Sequence, residues 1–413
     1  MLNYKKIHMK KTFLFLIFIS IIGCGKQQVD TNYEFDPGIV AAEQLNRVDS
    51  SYTVIDVSNN KKMPHPEFHK ILKDVKYIPL KSEDPIGIID IVKIHEGRVF
   101  ILDHRKSESI FIFDLSSGEL IKRVHDKGQG PAEYAGLADM AFWDNQIVVN
   151  DRLAYFTLYY TLDGEFIKKE KGGPNLFIEV IDGTIINQVS LHLSSSGDEA
   201  NYQLLFTLED SIIKKGFPLY PIQDNAVNGK SLWYNNKNEL LFCPMLSDTV
   251  YQIINDSSYF VKYVIKQKKS IWEKKDEHRK ELEYSYYVKN YGYTLHPTRI
   301  FEVDDYIYYP IYSEYNGDIV EQLYLYNKTT GISFVSSDSE PDNITTMLPR
   351  PLTVYKNYFV GIFEGHEIEA LRAFIKQDKK SIFQVQELKS LLLSDIKDLE
   401  CILVLFEFSD IED

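Results

Sequence analysis

The sequence has few cysteines and no apolar run long enough to cross a membrane. Of its 413 residues only Cys24, Cys243 and Cys401 are cysteines, and the last two lie far apart in the chain. Two separate buried thiols are therefore expected, with a disulfide between them as the alternative. The N-terminal apolar segment, Phe13–Ile22, has about ten residues, too few for a stable transmembrane helix.

The chain also lacks a surplus of positive charge. It has 46 Lys and Arg residues against 60 Asp and Glu residues, a formal charge of −14 at pH 7. Without residues 1–23, which contain four lysines and no acids, 42 basic and 60 acidic residues remain and the charge is −18. Such an acidic chain is poorly suited to bind nucleic acid or an anionic lipid surface, so neither is expected as a partner.

Common catalytic and metal-binding motifs are missing as well. Gly229-Lys-Ser231 ends like a phosphate-binding loop, but Asp224 stands where the first glycine belongs. His65 and His69 are four residues apart, but Pro66 disfavours the helix that a zinc site of this spacing requires. The sequence therefore names no catalytic residue, no metal ligand and no required cofactor, and calcium binding by an acidic loop is the one metal interaction left open.

The N-terminus has the order of a secretory signal. Four lysines precede the apolar segment, and Gly23 comes directly before Cys24. A small residue before a cysteine resembles the bacterial lipobox, in which the cysteine is lipidated; an ordinary signal peptide with an incidental cysteine is the alternative. We expect residues 1–23 to be a lipoprotein signal peptide, Cys24 the lipidation site and residues 24–50 a polar tether.

An internal repeat predicts the architecture of the remainder. Three segments align without gaps at intervals of 46 residues: Leu120–Arg123, Phe166–Lys169 and Ile212–Lys215. A Gly-Glu pair precedes the first two segments, so each unit ends with a turn and a strand. β-rich runs upstream make each unit a short antiparallel meander.

Later copies keep only the pattern of the second strand. They are Gly183–Ile186, Glu239–Phe242, Tyr306–Tyr309 and Tyr358–Gly361, after Arg98–Asp103 and Gln146–Asp151 in the first two copies. A four-stranded sheet of this size cannot bury both faces alone, so the copies must stack around an axis. We therefore expect an all-β fold over residues 51–413, a six-bladed β-propeller with four-stranded antiparallel blades and a short helical insertion.

Closure of such a ring requires a strand from outside the repeats. Val75–Leu80 is strand-like, no complete blade precedes it, and Pro79 favours an edge position because it cannot donate to a ladder. We expect this segment to supply the outer strand of the last blade, which removes an open edge. Helices are expected at 270–290, as the insertion, and at 381–393, before the final strand.

Several of these features together resemble a known group of proteins. Cys24, the DVKYIPL segment (Asp74–Leu80), the GQGPAEY loop (Gly128–Tyr134) and the six copies resemble the six-bladed β-propeller lipoproteins of anaerobic gut bacteria. Those proteins are similar to NHL-repeat and TolB-like propellers. The resemblance covers about residues 50–413 and implies the fold and an exported location rather than an activity, since most members have no assigned activity.

The segment Gly128-Gln-Gly130 is expected to be the crossover between the first two blades, where glycine tolerates the positive φ of a sharp turn. Crossovers and the loops between second and third strands open on the same propeller face. That face is the candidate ligand-binding site, with Asp103, His104, Arg105, Gln129, Glu133, Tyr134, Asp151 and Arg152. Aspartates at strand ends also cap turns and pair with neighbouring arginines, which is the structural alternative.

Tyrosine and phenylalanine are abundant, with 28 and 24 residues. Their rings suit either a glycan-binding surface or packing between blades. We expect a monomeric, lipid-anchored propeller on the exported side of a bacterial envelope, periplasmic or surface-facing, that binds or scaffolds an envelope protein, a glycan or a peptide. A lyase or hydrolase that acts on glycan or peptide at the axial pocket is the alternative. A cluster of Asp, His and Arg would favour the enzyme, and an apolar patch near the helical insertion would favour a protein partner.

Overall fold

A computed structural model shows six antiparallel sheets arranged as the blades of a propeller. The residues it describes are 43–57, 61–63, 71–172, 175–189, 202–208, 211–218, 229–244, 247–267, 269–270, 288–289, 291–294, 299–315, 317–336, 348–376, 386–394, 396 and 399–409. The all-β, six-bladed fold expected from the repeat is therefore confirmed.

Five strands come before the first blade: β1 (Glu43–Gln44), β2 (Asn46–Arg47), β3 (Thr53–Asp56), β4 (Lys61–Met63) and β5 (Leu72–Lys81). Blade 1 contains β6 (Ile91–His95), β7 (Arg98–Asp103), β8 (Ser109–Asp114) and β9 (Leu120–Val124). Blade 2 contains β10 (Leu137–Trp143), β11 (Gln146–Asp151), β12 (Phe156–Thr161) and β13 (Phe166–Lys171). Blade 3 contains β14 (Asn175–Ile181), β15 (Thr184–Val189), β16 (Tyr202–Leu208) and β17 (Ser211–Pro218).

The later blades have shorter inner strands. Blade 4 contains β18 (Leu232–Tyr234), β19 (Leu240–Phe242), β20 (Thr249–Ile253) and β21 (Ser258–Lys266). Blade 5 contains β22 (Phe301–Glu302), β23 (Tyr306–Tyr315), β24 (Asp318–Asn327) and β25 (Ser333–Ser336). Blade 6 contains β26 (Pro351–Tyr355), β27 (Tyr358–Glu364) and β28 (Leu399–Phe408). The second-strand copies lie in β15, β19, β23 and β27, and the 46-residue repeat lies in the fourth strands β9, β13 and β17, as predicted.

The ring closes where the sequence predicts. β5 pairs antiparallel with β28, from Leu72 opposite Phe408 to Lys81 opposite Leu399, and so becomes the fourth strand of blade 6. Pro79 lies on this outer strand, where its missing N–H costs no ladder bond. The N–H of Lys81 donates to the carbonyl oxygen of Gly118 at 3.0 Å, which ties the closing strand to blade 1.

The short N-terminal strands extend three of the blades. β1 pairs in parallel with β17, β2 and β3 pair with β21, and β4 pairs with β25. They cover the outer edges of blades 3, 4 and 5, where unpaired N–H and C=O groups would otherwise be exposed. The first of these strands begins at Glu43, within the segment 24–50 that the sequence assigns to a tether.

Apolar packing lies between blades rather than in one central core. Within the described ranges, six clusters of buried side chains each combine the facing surfaces of two neighbouring blades, and the cluster of blades 6 and 1 completes the ring. Tyr306, Tyr309 and Tyr326 are buried in these clusters, so packing between blades, rather than sugar stacking, explains the alternating aromatics of blade 5. Cys243 and Cys401 are both buried and are not joined by a disulfide, as expected.

Two helices occupy the connection between β27 and β28. They are α1 (Gly365–Lys376), which the sequence did not predict, and α2 (Gln386–Leu393), which confirms the described part of the helix expected at 381–393. Most of the insertion expected at 270–290 lies outside the described residues. Among the described residues, no helix is long and apolar enough to span a membrane.

Two glycines in hairpin turns of blade 1 provide a test of ring closure: Gly97 lies between β6 and β7, and Gly118 lies between β8 and β9. Gly97 and Gly118 have nearly the same positive φ, 72° and 71°. A Cβ on Gly97 would meet nothing within 4 Å, whereas one on Gly118 would lie 2.0 Å from the carbonyl oxygen of Pro79. We expect Gly97→Ala to lower the free energy of unfolding by about 1–2 kcal/mol through the backbone conformation alone.

Gly118→Ala should cost roughly 1–3 kcal/mol more, because the added methyl group pushes β5 away from blade 1. Urea denaturation of both variants measures the difference. Equal losses would show that the contact with Pro79 contributes nothing to closure.

Candidate functional site

The turn after β7 and the crossover after β9 lie against each other. The hydroxyl of Tyr134 donates to the carbonyl oxygen of Glu108 at 2.5 Å, and the Lys127 ammonium pairs with the Glu108 carboxylate. The Ser109 hydroxyl lies 3.0 Å from Nδ1 of His125. These contacts join a turn between second and third strands to a crossover, as the sequence predicts, and we call their side of the ring the crossover face.

Asp103 fixes the backbone on this face. Its carboxylate is fully buried and accepts hydrogen bonds from the N–H groups of Gly87, Lys106 and Ser107, each at 2.9 Å. Burial alone would raise the pKa of Asp103, but the N–H donors of Ser107 and Lys106 lower it below its usual value. The carboxylate therefore connects the turn after β7 to the segment before β6.

Asp151 does the same in blade 2. It is also fully buried, and it accepts N–H groups of Ala135 at 2.7 Å, Gly136 at 3.0 Å and Ala154 at 3.1 Å. The turn after β11 is thus tied to the crossover that precedes β10. Both aspartates follow the turn-capping alternative rather than facing a ligand.

The crossover itself is held by its own side chains. Tyr134 is fully buried, and the Glu133 carboxylate accepts the N–H of Gly130 at 2.7 Å. The predicted reason for the glycines is wrong, because neither Gly128 nor Gly130 has a positive φ. A Cβ on Gly128 would lie 1.9 Å from the Glu133 carboxylate oxygen, so a larger residue would displace the end of the Glu133 side chain. Gln129, between them, is exposed.

His104 and Arg105 converge on Asp90, which precedes β6. The Asp90 side chain is only 2% exposed, and its carboxylate lies 2.9 Å from Nδ1 of His104. The same carboxylate accepts the Arg105 guanidinium, which stays 61% exposed. Asp90 therefore accepts the backbone N–H of His104 at 3.0 Å and pairs with the Arg105 guanidinium, while Nδ1 of His104 lies near its carboxylate without a hydrogen bond to it.

Glu364, at the end of β27, adds an acid from blade 6. Burial raises the pKa of its carboxyl, and nearby Asp90 and Glu367 raise it further, while His366 and Arg105 oppose the shift. Nδ1 of His366 is 3.8 Å from the Glu364 carboxylate. The junction of blades 6 and 1 thus carries two carboxyls, two imidazoles and an arginine, which we call the His104 cluster: Asp90, His104, Arg105, Glu364 and His366.

A buried charge cluster lies on the inner strands of blades 1 to 4. Lys93 is 2.6 Å from the Glu179 carboxylate, and Lys230 is 2.6 Å from Asp139 and 2.7 Å from Glu179. Burial would lower the pKa of Lys230, but Asp139 and Glu179 raise it. Lys230 belongs to the segment that ends like a phosphate-binding loop, and here its partners are carboxylates.

The eight predicted site residues thus divide into two groups. Asp103, Glu133, Tyr134 and Asp151 hold the backbone of the crossover face, whereas His104, Arg105, Gln129 and Arg152 remain at least partly accessible. Arg105 pairs with Asp90, not with its neighbour Asp103. No group of His, Cys, Asp and Glu suited to hold a metal occurs in the described part of the chain, and His65 and His69 lie outside it.

Sequence reasoning missed the partners of these residues. Asp90 lies directly before β6 of blade 1, and Glu364 lies at the end of β27 of blade 6, so only closure of the ring brings the two acids together. Asp139 and Glu179 carried a usable signal, since each is a lone acid in an otherwise apolar strand, LADMAFW or NLFIEVI. A charge at such a position predicts a buried counter-ion, but not which one.

Comparisons with known proteins agree with the fold. A family model described as Domain of unknown function (DUF4934) matches residues 52–399. No curated protein matches the chain. The structure is similar to that of a Bacteroides fragilis protein named as a candidate for export, with a TM-score of 0.68 and 16% identity over 87% of this chain and 100% of that one.

Two further structures are less similar. A member of the DUF4221 family from Bacteroides vulgatus has a TM-score of 0.46 and 11% identity over 83% of this chain and 98% of that one. Virginiamycin B lyase from Staphylococcus aureus has a TM-score of 0.35 and 12% identity over 70% of this chain and 93% of that one. At such identities the likeness concerns the fold and carries no conclusion about activity.

The buried charge cluster can be tested by removing one ion or a whole pair. Lys93→Met leaves Asp139 and Glu179 with one lysine between them, and we expect a loss of about 3–5 kcal/mol in the free energy of unfolding. The double variant Lys93→Met/Glu179→Met leaves the Lys230–Asp139 pair intact and should recover most of that loss. Chemical denaturation of the two single variants and the double variant gives the coupling energy. Strictly additive losses would contradict the assigned pairing.

Proposed function

The chain belongs to the family described as Domain of unknown function (DUF4934), and we propose that it is an exported, lipid-anchored propeller that binds a polar glycan or peptide on its crossover face. The observation that carries the proposal is the exposure of Arg105 and Arg152 above turns that buried aspartates hold in place. Arg152 follows directly on the capped strand end at Asp151, and Arg105 comes two residues after the capped strand end at Asp103. A fixed backbone with accessible guanidinium groups is what recognition of carboxylates and hydroxyls requires.

The composition of the face supports a polar ligand. Gln129 and the two arginines offer hydrogen-bond donors, and Gln129 also offers an amide oxygen. His104 adds an imidazole whose Nδ1 lies 2.9 Å from the Asp90 carboxylate. Leu153, beside Arg152, is 62% exposed and offers an apolar contact of the kind that a sugar ring or a peptide side chain covers.

Export and lipidation are part of the same proposal. The signal-like N-terminus and the Gly23-Cys24 step support them, as does the export suggested for the Bacteroides fragilis protein of similar fold. The acidic composition is compatible with attachment through a lipid rather than through electrostatic binding to anionic headgroups. The proposal includes a monomer, which a ring that closes within one chain supports.

An enzyme that acts on a glycan or peptide is the second candidate, and the His104 cluster is the observation that favours it. The His104 imidazole, with Nδ1 2.9 Å from the buried Asp90 carboxylate, is a candidate for proton transfer, and the Glu364 carboxyl, whose pKa is raised, is suited to act as an acid. If this candidate is right, a bound fragment is turned over, and Glu364→Gln stops turnover while leaving binding in place.

Ligand binding should appear as a thermal shift. The exported chain with Cys24→Ser is screened against muropeptides, polysaccharide fragments and calcium; a ligand at one hundred times its Kd stabilises by about 2.7 kcal/mol, a rise of a few degrees in Tm. We expect Arg105→Ala or Arg152→Ala to remove the shift. The matched control is Arg47→Ala, an exposed arginine on blade 4. Loss in all three variants, or no shift with any compound, contradicts the proposal.

Lipid attachment should depend on a single cysteine. In a bacterial host the wild-type chain should incorporate an alkyne-labelled fatty acid and fractionate with membranes, whereas Cys24→Ser should do neither. Cys243→Ser, at a buried thiol, is the control and should keep the label. Label that persists in Cys24→Ser would exclude the lipobox interpretation.

A further inference from the structure

Two arginines lie at the crossover-face ends of the inner strands of blades 5 and 6. Arg299 comes two residues before β22, and Arg350 comes directly before β26. Phe301 pairs with Tyr308, so the chain at Arg299 runs beside the middle of β23. Burial and the Arg350 guanidinium both lower the pKa of Arg299, so the two positive charges are close enough to repel each other.

The charges at this position do not balance. Nη2 of Arg350 is 2.6 Å from the Glu321 carboxylate, which lies on β24 opposite Tyr312. The half-buried Arg299 has neither a hydrogen bond nor an ion pair within the described residues. The Glu321 carboxylate also opposes the lowering of the Arg299 pKa, so both guanidinium groups lie near the same acid.

A tyrosine hydroxyl faces the same space without a partner. Tyr308 is 7% exposed, and its hydroxyl is buried with no hydrogen bond to any described residue. The charges of Arg350, Glu321 and Arg299 all act on the Tyr308 phenol, although burial is the main cause of its raised pKa. Since residues 308 and 312 project from the same side of β23, Tyr312 borders the same space.

This arrangement differs from every other described cluster of buried cations. Lys93 and Lys230 pair with Glu179, and Lys262 and Lys328 pair with Glu302. An uncompensated charge and an unpaired buried hydroxyl are both costly in a folded protein. A structure that keeps both side by side is arranged for a group that carries negative charge and accepts hydrogen bonds.

We propose that Arg299, Arg350 and the Tyr308 hydroxyl form a binding site for the oxyanion group of a small ligand, a carboxylate or a phosphate. Guanidinium groups bind such groups through paired N–H donors, and the phenol supplies a further O–H donor. The site lies between blades 5 and 6, whereas Arg105 and Arg152 belong to blades 1 and 2. It is therefore independent of the ligand site proposed above.

The test is a titration of the exported chain, with Cys24→Ser, with sodium phosphate and with sodium glucuronate. Ionic strength is kept constant with sodium chloride so that general screening does not contribute. We expect a saturable rise in Tm of a few degrees with at least one of the two anions. A response to phosphate alone assigns the site to phosphate groups, and a response to glucuronate assigns it to carboxylates.

Variants separate a binding role from a structural one. Arg299→Gln should abolish the response without lowering Tm in the absence of anion, because no contact within the described fold is lost. Tyr308→Phe removes a hydroxyl that has no partner, so it should fold normally and weaken anion binding several-fold. Arg47→Gln, at an exposed arginine on the outer edge of blade 4, should leave the response unchanged.

The opposite results overturn the proposal. No response to either anion, or a response that Arg299→Gln and Tyr308→Phe both retain, would mean that these groups do not bind an oxyanion. If Arg47→Gln abolished the response as well, the anion would act through the net charge of the protein, and the assignment to Arg299 would be wrong.

Discussion

The pairing of β5 with β28 is the constraint on which the rest of the structure depends. It joins segments from the two ends of the domain: Lys73 and Glu407, 334 residues apart in sequence, form an ion pair at 2.8 Å. Each blade buries its faces only against its neighbours, so a ring that failed to close would expose two apolar surfaces and an open sheet edge. The cluster between blades 6 and 1, which includes Leu80 and Leu403, exists only in the closed ring.

Most buried polar groups stabilise the closed ring, and we assign ligand recognition to the polar groups without such a role. The carboxylates of Asp103 and Asp151 accept hydrogen bonds from backbone N–H groups. Burial would raise the pKa of Glu302, but Lys262 and Lys328 lower it to about 2, so this acid stays ionised and paired. The side chains that stay accessible or unsatisfied, such as Arg105 and Arg299, lie on the crossover face. That separation is the physical basis for assigning recognition to this face.

The sequence predicts the parts of the fold that repeat or break a pattern. The 46-residue interval revealed the fourth strands, and Pro79 with its strand-like neighbours revealed the closing strand. Strands of two to four polar residues, such as Glu43–Gln44, have no periodicity of their own and form only because another blade offers an edge. The sequence could not predict which residues pair within the charge clusters, because the partners come from different blades. Asp139 and Lys230 are 91 positions apart and meet only across the ring.

The central claim, that the crossover face is the ligand-binding face, can be tested by hydrogen–deuterium exchange with and without muropeptides and polysaccharide fragments at millimolar concentration. The account predicts protection of residues 103–108, 125–136 and 151–155, which carry the capped turns and the crossover, with little change elsewhere. Protection confined to the opposite hairpin turns, such as 144–145 and 182–183, or no protection with any fragment, would contradict it.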